Sequence, residues 1–209
     1  MSKPVSGTLI CPQCGKEQDI TVWQSINVSL QKGAKQQILD GNFFTHTCEC
    51  GNRIPLVYPC LYHDMEKKNM IWLVPEGTGY ALGDINKTTF IPSYIYRVVK
   101  NSFELIQKIR IFEYGWDDRV LEILKLMIET DYQKRFPEKK IQEVCFNCTG
   151  KNPELLILDE NGTVMGSKIQ EQSYLNVKTQ YLEAIMRKSG RGYLQIDRDW
   201  ALALLGENQ

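Results

Sequence analysis

Cys11-Pro12-Gln13-Cys14-Gly15 and, after a long insert, Cys48-Glu49-Cys50-Gly51 decide how this chain is read. Each stretch is a pair of sulfurs at chelating distance with glycine directly after it, the pattern of a structural zinc site. In a zinc knuckle the first cysteine opens a tight turn whose backbone N–H groups point at the sulfurs and stabilise thiolate. Glycine after the second cysteine takes the left-handed conformation that closes the turn, and proline inside it pre-sets φ. Residues 11–15 contain all of these parts. The second pair is one residue tighter. Read as extended chain, Cys48 and Cys50 point to one face and converge on one ion, with Gly51 turning the chain away. The expected ligands are Cys11, Cys14, Cys48 and Cys50, and the expected ion is zinc. Its expected role is structural, because four thiolates saturate the ion and leave no position for water or substrate.

Other arrangements of the cysteines compete with this one. A redox C-x-x-C normally opens a helix after a strand, whereas Cys14 leads into Asp19-Ile20-Thr21-Val22-Trp23, which reads as strand. Cys145-Phe146-Asn147-Cys148 is a rival second pair, but residues i and i+3 of a strand face opposite sides and no glycine follows directly. His46, two residues before Cys48, is a rival ligand that reads better as a half-exposed strand residue. His63 reads as an exposed turn residue, and Cys60, behind Pro59 in an apolar stretch, as a buried inert thiol.

The 209 residues suffice for one large domain or two small ones, and the hydrophobic content is that of an ordinary globular core. Acidic and basic residues balance at 25 each without a block of like charge. The clustered Lys and Arg of a non-specific nucleic-acid binder are therefore missing. No apolar run has the length of a signal peptide or a bilayer span, so no membrane is expected and the expected compartment is the cytoplasm. Seven cysteines in a reducing compartment point to metal or free thiols rather than disulfides.

Strands are expected at 21–30, 45–48, 54–62 and 69–74, with one or two helical turns at 35–39 and a polar turn at 63–68. This is a small antiparallel sheet with the metal site at one end. A loop is expected from there to residue 92. Asn101 with Glu104 three residues on forms a capping box for a helix that Gly115 ends. A second helix starts at Asp117-Asp118, carries an apolar stripe of Val120, Leu121, Leu124, Met127 and Ile128, and stops before Pro137. The two make a helical hairpin. Beyond it, strands at 141–148, 155–158 and 163–165 flank the turn Asp159-Glu160-Asn161-Gly162. Ser173 caps a helix running to about 188, and a strand at 193–196 and a short helix at 200–205 close the chain.

Cys11-Pro12-Gln13-Cys14 with Cys48-Glu49-Cys50-Gly51 resembles the bacterial and archaeal CpXC domain, named for its Cys-Pro-X-Cys motif. Val57-Tyr58-Pro59, Tyr62-His63-Asp64 and 112–119 (Phe-Glu-Tyr-Gly-Trp-Asp-Asp-Arg) are similar to the later part of that domain. The resemblance covers roughly 5–137 and implies a metal-binding module without assigning a reaction.

Other groups have simple structural roles available. Asp117, Asp118 and Glu122 cluster at a helix start, where Asp118 and Glu122, one turn apart, are placed to share a cation; the reading preferred is capping plus an ion pair from Arg119 or Lys125. Arg187, Lys188 and Arg191 gather at a helix C-terminus, where they complement the dipole or hold a phosphate. Trp23, Trp72, Trp116 and Trp200 are expected in the core. Gly77, Gly79 and Gly83 are too sparse for a phosphate loop, and two histidines make general bases scarce. The sequence thus predicts an α+β protein. Residues 5–137 form a zinc-ribbon-like sheet with a helical hairpin, and 138–209 form a small α/β unit. The expected function is a zinc-stabilised, non-enzymatic module for a protein partner or self-association. The alternatives are an enzyme with a site between the two parts using Asp118, Glu122 or Asp64, and a nucleic-acid-associated regulator.

Overall fold

A computed structural model of the chain describes residues 2–79, 85, 90–150 and 152–206. The chain divides into two compact units, Met1–Ile106 with Gly192–Leu194, and Gln107–Arg191 with Gln195–Gln209. The class is α+β, as the sequence predicts.

The first unit is built on a five-stranded sheet in the order β1-β2-β5-β6-β7, formed by β1 (Lys3–Ile10), β2 (Glu17–Asn27), β5 (Cys60–Asp64), β6 (Asn69–Leu73) and β7 (Ile95–Val99). The expected all-antiparallel sheet is corrected to a mixed one. β1/β2 and β5/β6 run antiparallel, but β2/β5 and β6/β7 run parallel. Parallel neighbours need a crossover, and that between β2 and β5 contains α1 (Ala34–Leu39) and the hairpin β3 (Thr45–Thr47) to β4 (Arg53–Pro55). The strand expected over 54–62 is thus two strands. Pro55 and Pro59 lack the N–H that a continuous ladder needs.

Alternation sorts the sheet into two faces. Cys60, Tyr62 and Asp64 lie opposite Leu73, Ile71 and Asn69, and all six are buried. On the other face Leu61, Met70 and Trp72 pack against Tyr96, Val98 and Tyr193, whose rings meet edge-on at 5.0 Å (Tyr96 to Tyr193). The strand expected at 193–196 is a single parallel bridge from Leu194 to Arg97 on β7. Half of the loop expected at 75–92, Gly83 included, falls outside the described residues.

In the second unit, α3 (Asp118–Arg135) packs against a three-stranded antiparallel sheet, β8 (Ile141–Thr149), β9 (Asn152–Asp159) and β10 (Val164–Lys168), and against α4 (Glu171–Gln180) and α6 (Arg198–Gly206). Before α3, α2 (Ser102–Tyr114) begins as expected: Asn101 Oδ1 accepts the Glu104 N–H at 2.8 Å, and the Glu104 carboxylate accepts from the Lys100 N–H. Gly115 ends α2 with φ 85°, and the Trp116 N–H reaches back to the Ile111 carbonyl. The expected stripe on α3 is broader in fact. Val120 through Leu124 are buried on every side, Glu122 included.

The break between the units falls within α2, so that its second half and all of α3 belong with the C-terminal sheet. Phe146 and Leu155 on that sheet are fully buried. The single helix expected to run to 188 is interrupted at Tyr181, which separates α4 from α5 (Leu182–Lys188). Ser173 is inside α4, whose N-cap is Gln170. Among the described residues no helix is long and apolar enough to cross a membrane.

Candidate metal centre

Both cysteine pairs sit in the tips of β-hairpins. β1 and β2 end their pairing at Ile10 and Glu17, and the Cys11 N–H to Lys16 carbonyl bond of 2.9 Å extends the ladder to the mouth of the turn. Inside it the Gly15 N–H returns to the Cys11 carbonyl, with Gly15 at φ 71°. β3 and β4 end at Thr47 and Arg53. There the Cys48 N–H bonds the Asn52 carbonyl at 2.9 Å, the Gly51 N–H bonds the Cys48 carbonyl at 2.8 Å, and Gly51 has φ 86°. Cys48-Glu49-Cys50 is therefore a turn and not the extended segment the sequence predicts. A hairpin tip of five residues leaves no room for an extended stretch, and the backbone curls so that the Cys50 N–H points at Cys48 Sγ.

The two tips bring Cys11, Cys14, Cys48 and Cys50 together, with all four sulfurs within 4.8 Å of one another. Cys11 Sγ lies 3.8 Å from Cys50 Sγ, and Cys14 Sγ 3.6 Å from Cys48 Sγ. A disulfide would need about 2.0 Å, and all four cysteines are free. Four sulfurs each about 2.3 Å from one zinc ion in a tetrahedron stand about 3.8 Å apart. The donor set therefore fits a tetrahedral thiolate-bound ion, and the cluster could hold a metal.

Charge and burial are distributed unevenly within it. Cys11 and Cys48 are buried against Ile54 and Leu9, whereas Cys14 and Cys50 are exposed. The Cys14 N–H, with help from the Gln13 N–H and the Asn52 amide, outweighs burial and holds Cys11 down to about 6. At Cys48 the Cys50 N–H pulls the same way, but burial and the crowding of three neighbouring thiols outweigh it and push Cys48 up to about 12. Around the cluster, Asn52 Nδ2 donates to Cys11 Sγ at 3.7 Å, and Lys16 meets Glu49 across the two tips at 3.1 Å. Neither contact is legible in the sequence, where Asn52 is one polar residue after a glycine.

The remaining candidates are engaged elsewhere. His46 is a strand residue of β3, as expected, and its Nε2 bonds the Gln18 side chain at 2.6 Å. His63 is on β5, not in a turn; it is half-buried between Asn27 and Tyr94, and burial lowers its pKa. Cys60 is fully buried, and burial pushes its thiol up to about 12. Cys145 and Cys148 lie on β8, and Cys148 Sγ donates to the Gly150 carbonyl. Asp118 and Glu122 do share a cation, but it is the ammonium of Lys108, 3.1 Å from each. Asp117 caps α3 through the Arg119 N–H and grips the Arg119 guanidinium. Arg187 lines a groove of about 740 Å³ with Leu126, Thr130, Arg198 and Leu202, and Arg187 and Lys188 occupy the last turn of α5.

Two β-hairpins that offer four converging sulfurs define a candidate thiolate metal-site protein. The chain belongs to the CpXC family: the family model described as CpXC protein matches residues 9–125, more than half of its length. No curated protein and no solved structure matches it.

Proposed function

We propose that this chain is a zinc-stabilised interaction module of the cytoplasm, in which Cys11, Cys14, Cys48 and Cys50 bind one structural zinc ion and the fold presents a surface to a protein partner or to a second copy. The observation that carries the metal reading is the four-sulfur cluster with its 3.6 and 3.8 Å contacts. Soft thiolate ligands in tetrahedral array select zinc over hard cations, and a saturated shell serves folding rather than Lewis-acid chemistry. The interaction reading draws on β1. It is the edge strand of its sheet and most of its side chains are exposed. Edge strands with open backbone groups take up a further strand from another chain. The carboxylates an enzymatic reading would use are tied to ammonium groups: Asp64 to Lys35 at 2.7 Å, and Asp118 and Glu122 to Lys108. Balanced charge argues against a nucleic-acid partner.

Metal analysis of the protein purified without added metal tests the first half. The expected result is one zinc per chain, lost in Cys48→Ser, with sulfur-only coordination by X-ray absorption. Protein free of metal, or an ion that keeps a water ligand, sinks the structural-zinc reading. Sedimentation of the loaded protein, with Thr8→Pro on the β1 edge as comparison, tests the second half for self-association.

A further inference from the structure

We infer that Asn52 is a positioning residue of the metal centre: from the second hairpin tip its side-chain amide donates to the Cys11 sulfur of the first, and this contact sets how tightly the four-sulfur cluster holds a soft divalent cation. The inference rests on the metal reading above and goes beyond it in naming what couples the two halves of the site.

Each tip is internally complete. The first closes through Cys11–Lys16 and Gly15–Cys11 backbone bonds, and the second through Cys48–Asn52 and Gly51–Cys48. Neither set of bonds says anything about where one tip stands relative to the other, yet a tetrahedral ion demands that position to within tenths of an ångström. Apart from the sulfurs themselves and the packing of Leu9 with Ile54, three polar side-chain contacts among the described residues reach from one hairpin to the other near the site. His46 to Gln18 lies on the strands rather than in the tips. Lys16 to Glu49 joins two side chains that are 64 and 71 % exposed, where water screens the pair and long side chains stay mobile. Asn52 to Cys11 remains. It is half-buried and ends on a cysteine that is 1 % exposed. Both ends of Asn52 are used: the carbonyl closes its own turn on the Cys48 N–H, and the amide crosses to the other turn. The side chain is short, so the crossing leaves little slack. An N–H aimed at a ligating sulfur also spreads the charge of a thiolate in a crowded tetrathiolate shell.

Outer-shell partners of metal ligands typically change affinity by about 10–100-fold when removed. The full-length protein is titrated with zinc(II) against a chromophoric chelator, as wild type and as Asn52→Ala, Asn52→Asp and Glu49→Gln. Asn52→Asp keeps shape and turn preference, and so keeps the test alive if the alanine variant does not fold. The expected result is zinc binding weakened by about 10–100-fold in both Asn52 variants, and by less than about fivefold in Glu49→Gln. Cobalt(II) supplies a signature that altered folding alone would not give. The sulfur-to-cobalt charge-transfer band moves to longer wavelength when the N–H to sulfur bond is lost. Wild type that binds cobalt and zinc tightly, with Asn52→Asp matching it in affinity and band position, overturns the inference and leaves the metal reading standing. Wild type that binds neither ion overturns both.

Discussion

The hairpin tips of the first unit and the interior of the second are held by opposite means. Around Cys11 and Cys48 the apolar support amounts to Ile54 and Leu9, and β1 beside them is mostly exposed. A two-stranded ribbon with so little to bury is marginal in water. In the second unit α3 is enclosed on all sides from Val120 to Leu124, tightly enough that Glu122 and Asp118 are inside it. They are tolerated because the Lys108 ammonium spends its three N–H groups on Asp118, Glu122 and the Ile196 carbonyl, while Lys125 adds a second contact to Glu122. The lesson is that this chain places sulfur where it lacks core and permits buried charge where it has core in excess.

The largest effect should come from removing the ion proposed for the four sulfurs. Structural zinc sites in small domains contribute about 10–16 kcal/mol of apparent folding free energy at neutral pH. Chelation, or Cys48→Ser, should therefore abolish amide-exchange protection along 3–23 and 45–55 while the amides of α3 and β9 keep theirs. Simultaneous loss in both units would break the contrast. Next comes Lys108→Met, which removes the ammonium that two buried carboxylates share and should cost about 3–5 kcal/mol. Denaturant melts with and without chelator should show this loss to be the same in both. The companion triple variant Lys108→Met, Asp118→Leu, Glu122→Leu should recover most of it, since an apolar replacement of a buried ion set is often neutral.

Asp64 sharpens the picture from within the first unit, away from the tips. Burial alone would raise its pKa, but Lys35, the Lys67 N–H and the Glu66 N–H prevail and hold it below the ordinary carboxylate value. A carboxylate depressed in the folded state stabilises fully above its unfolded pKa near 3.9, and that contribution fades as pH falls from there through the lower folded value. Asp64→Asn should cost about 1–3 kcal/mol at pH 7 and flatten the acid limb of the stability profile in that window. An unchanged acid limb would mean that Asp64 is not one of the groups that titrate on acid unfolding. The smallest effect belongs to Cys145→Ser, which should shift stability by less than about 1 kcal/mol and leave metal content unaltered. A lost ion there would move the ligand set to β8.

The Cys11–Gly15 turn is legible because its chemistry is local: spacing, a proline and a following glycine fit within five residues, whereas the second pair, without a proline, shows its spacing and its glycine but not its turn. Also legible are the Asn101–Glu104 cap and the turn at 159–162, where Asp159 Oδ1 takes the Asn161 and Thr163 N–H groups. The hidden features depend on distant partners. β1 has Ser6, Gly7 and Thr8 at its centre and both faces largely wet, so it shows no alternation to read. The parallel pairings of β2 with β5 and of β6 with β7 leave no mark in either strand. Glu122 reads as an ion-pair group, but its partner Lys108, fourteen residues away on another helix, leaves no mark beside it.

The second cysteine pair is carried in the excursion that separates two strands lying side by side, β2 and β5. During synthesis Cys50 leaves the ribosome before Cys60, the first residue of β5. All four sulfurs are thus available while the central sheet is still incomplete, and an ion captured at that stage shortens the loop that β5 must close to reach its neighbour. Metal supply would then govern how quickly a nascent chain matures, and not only how firmly the finished one holds.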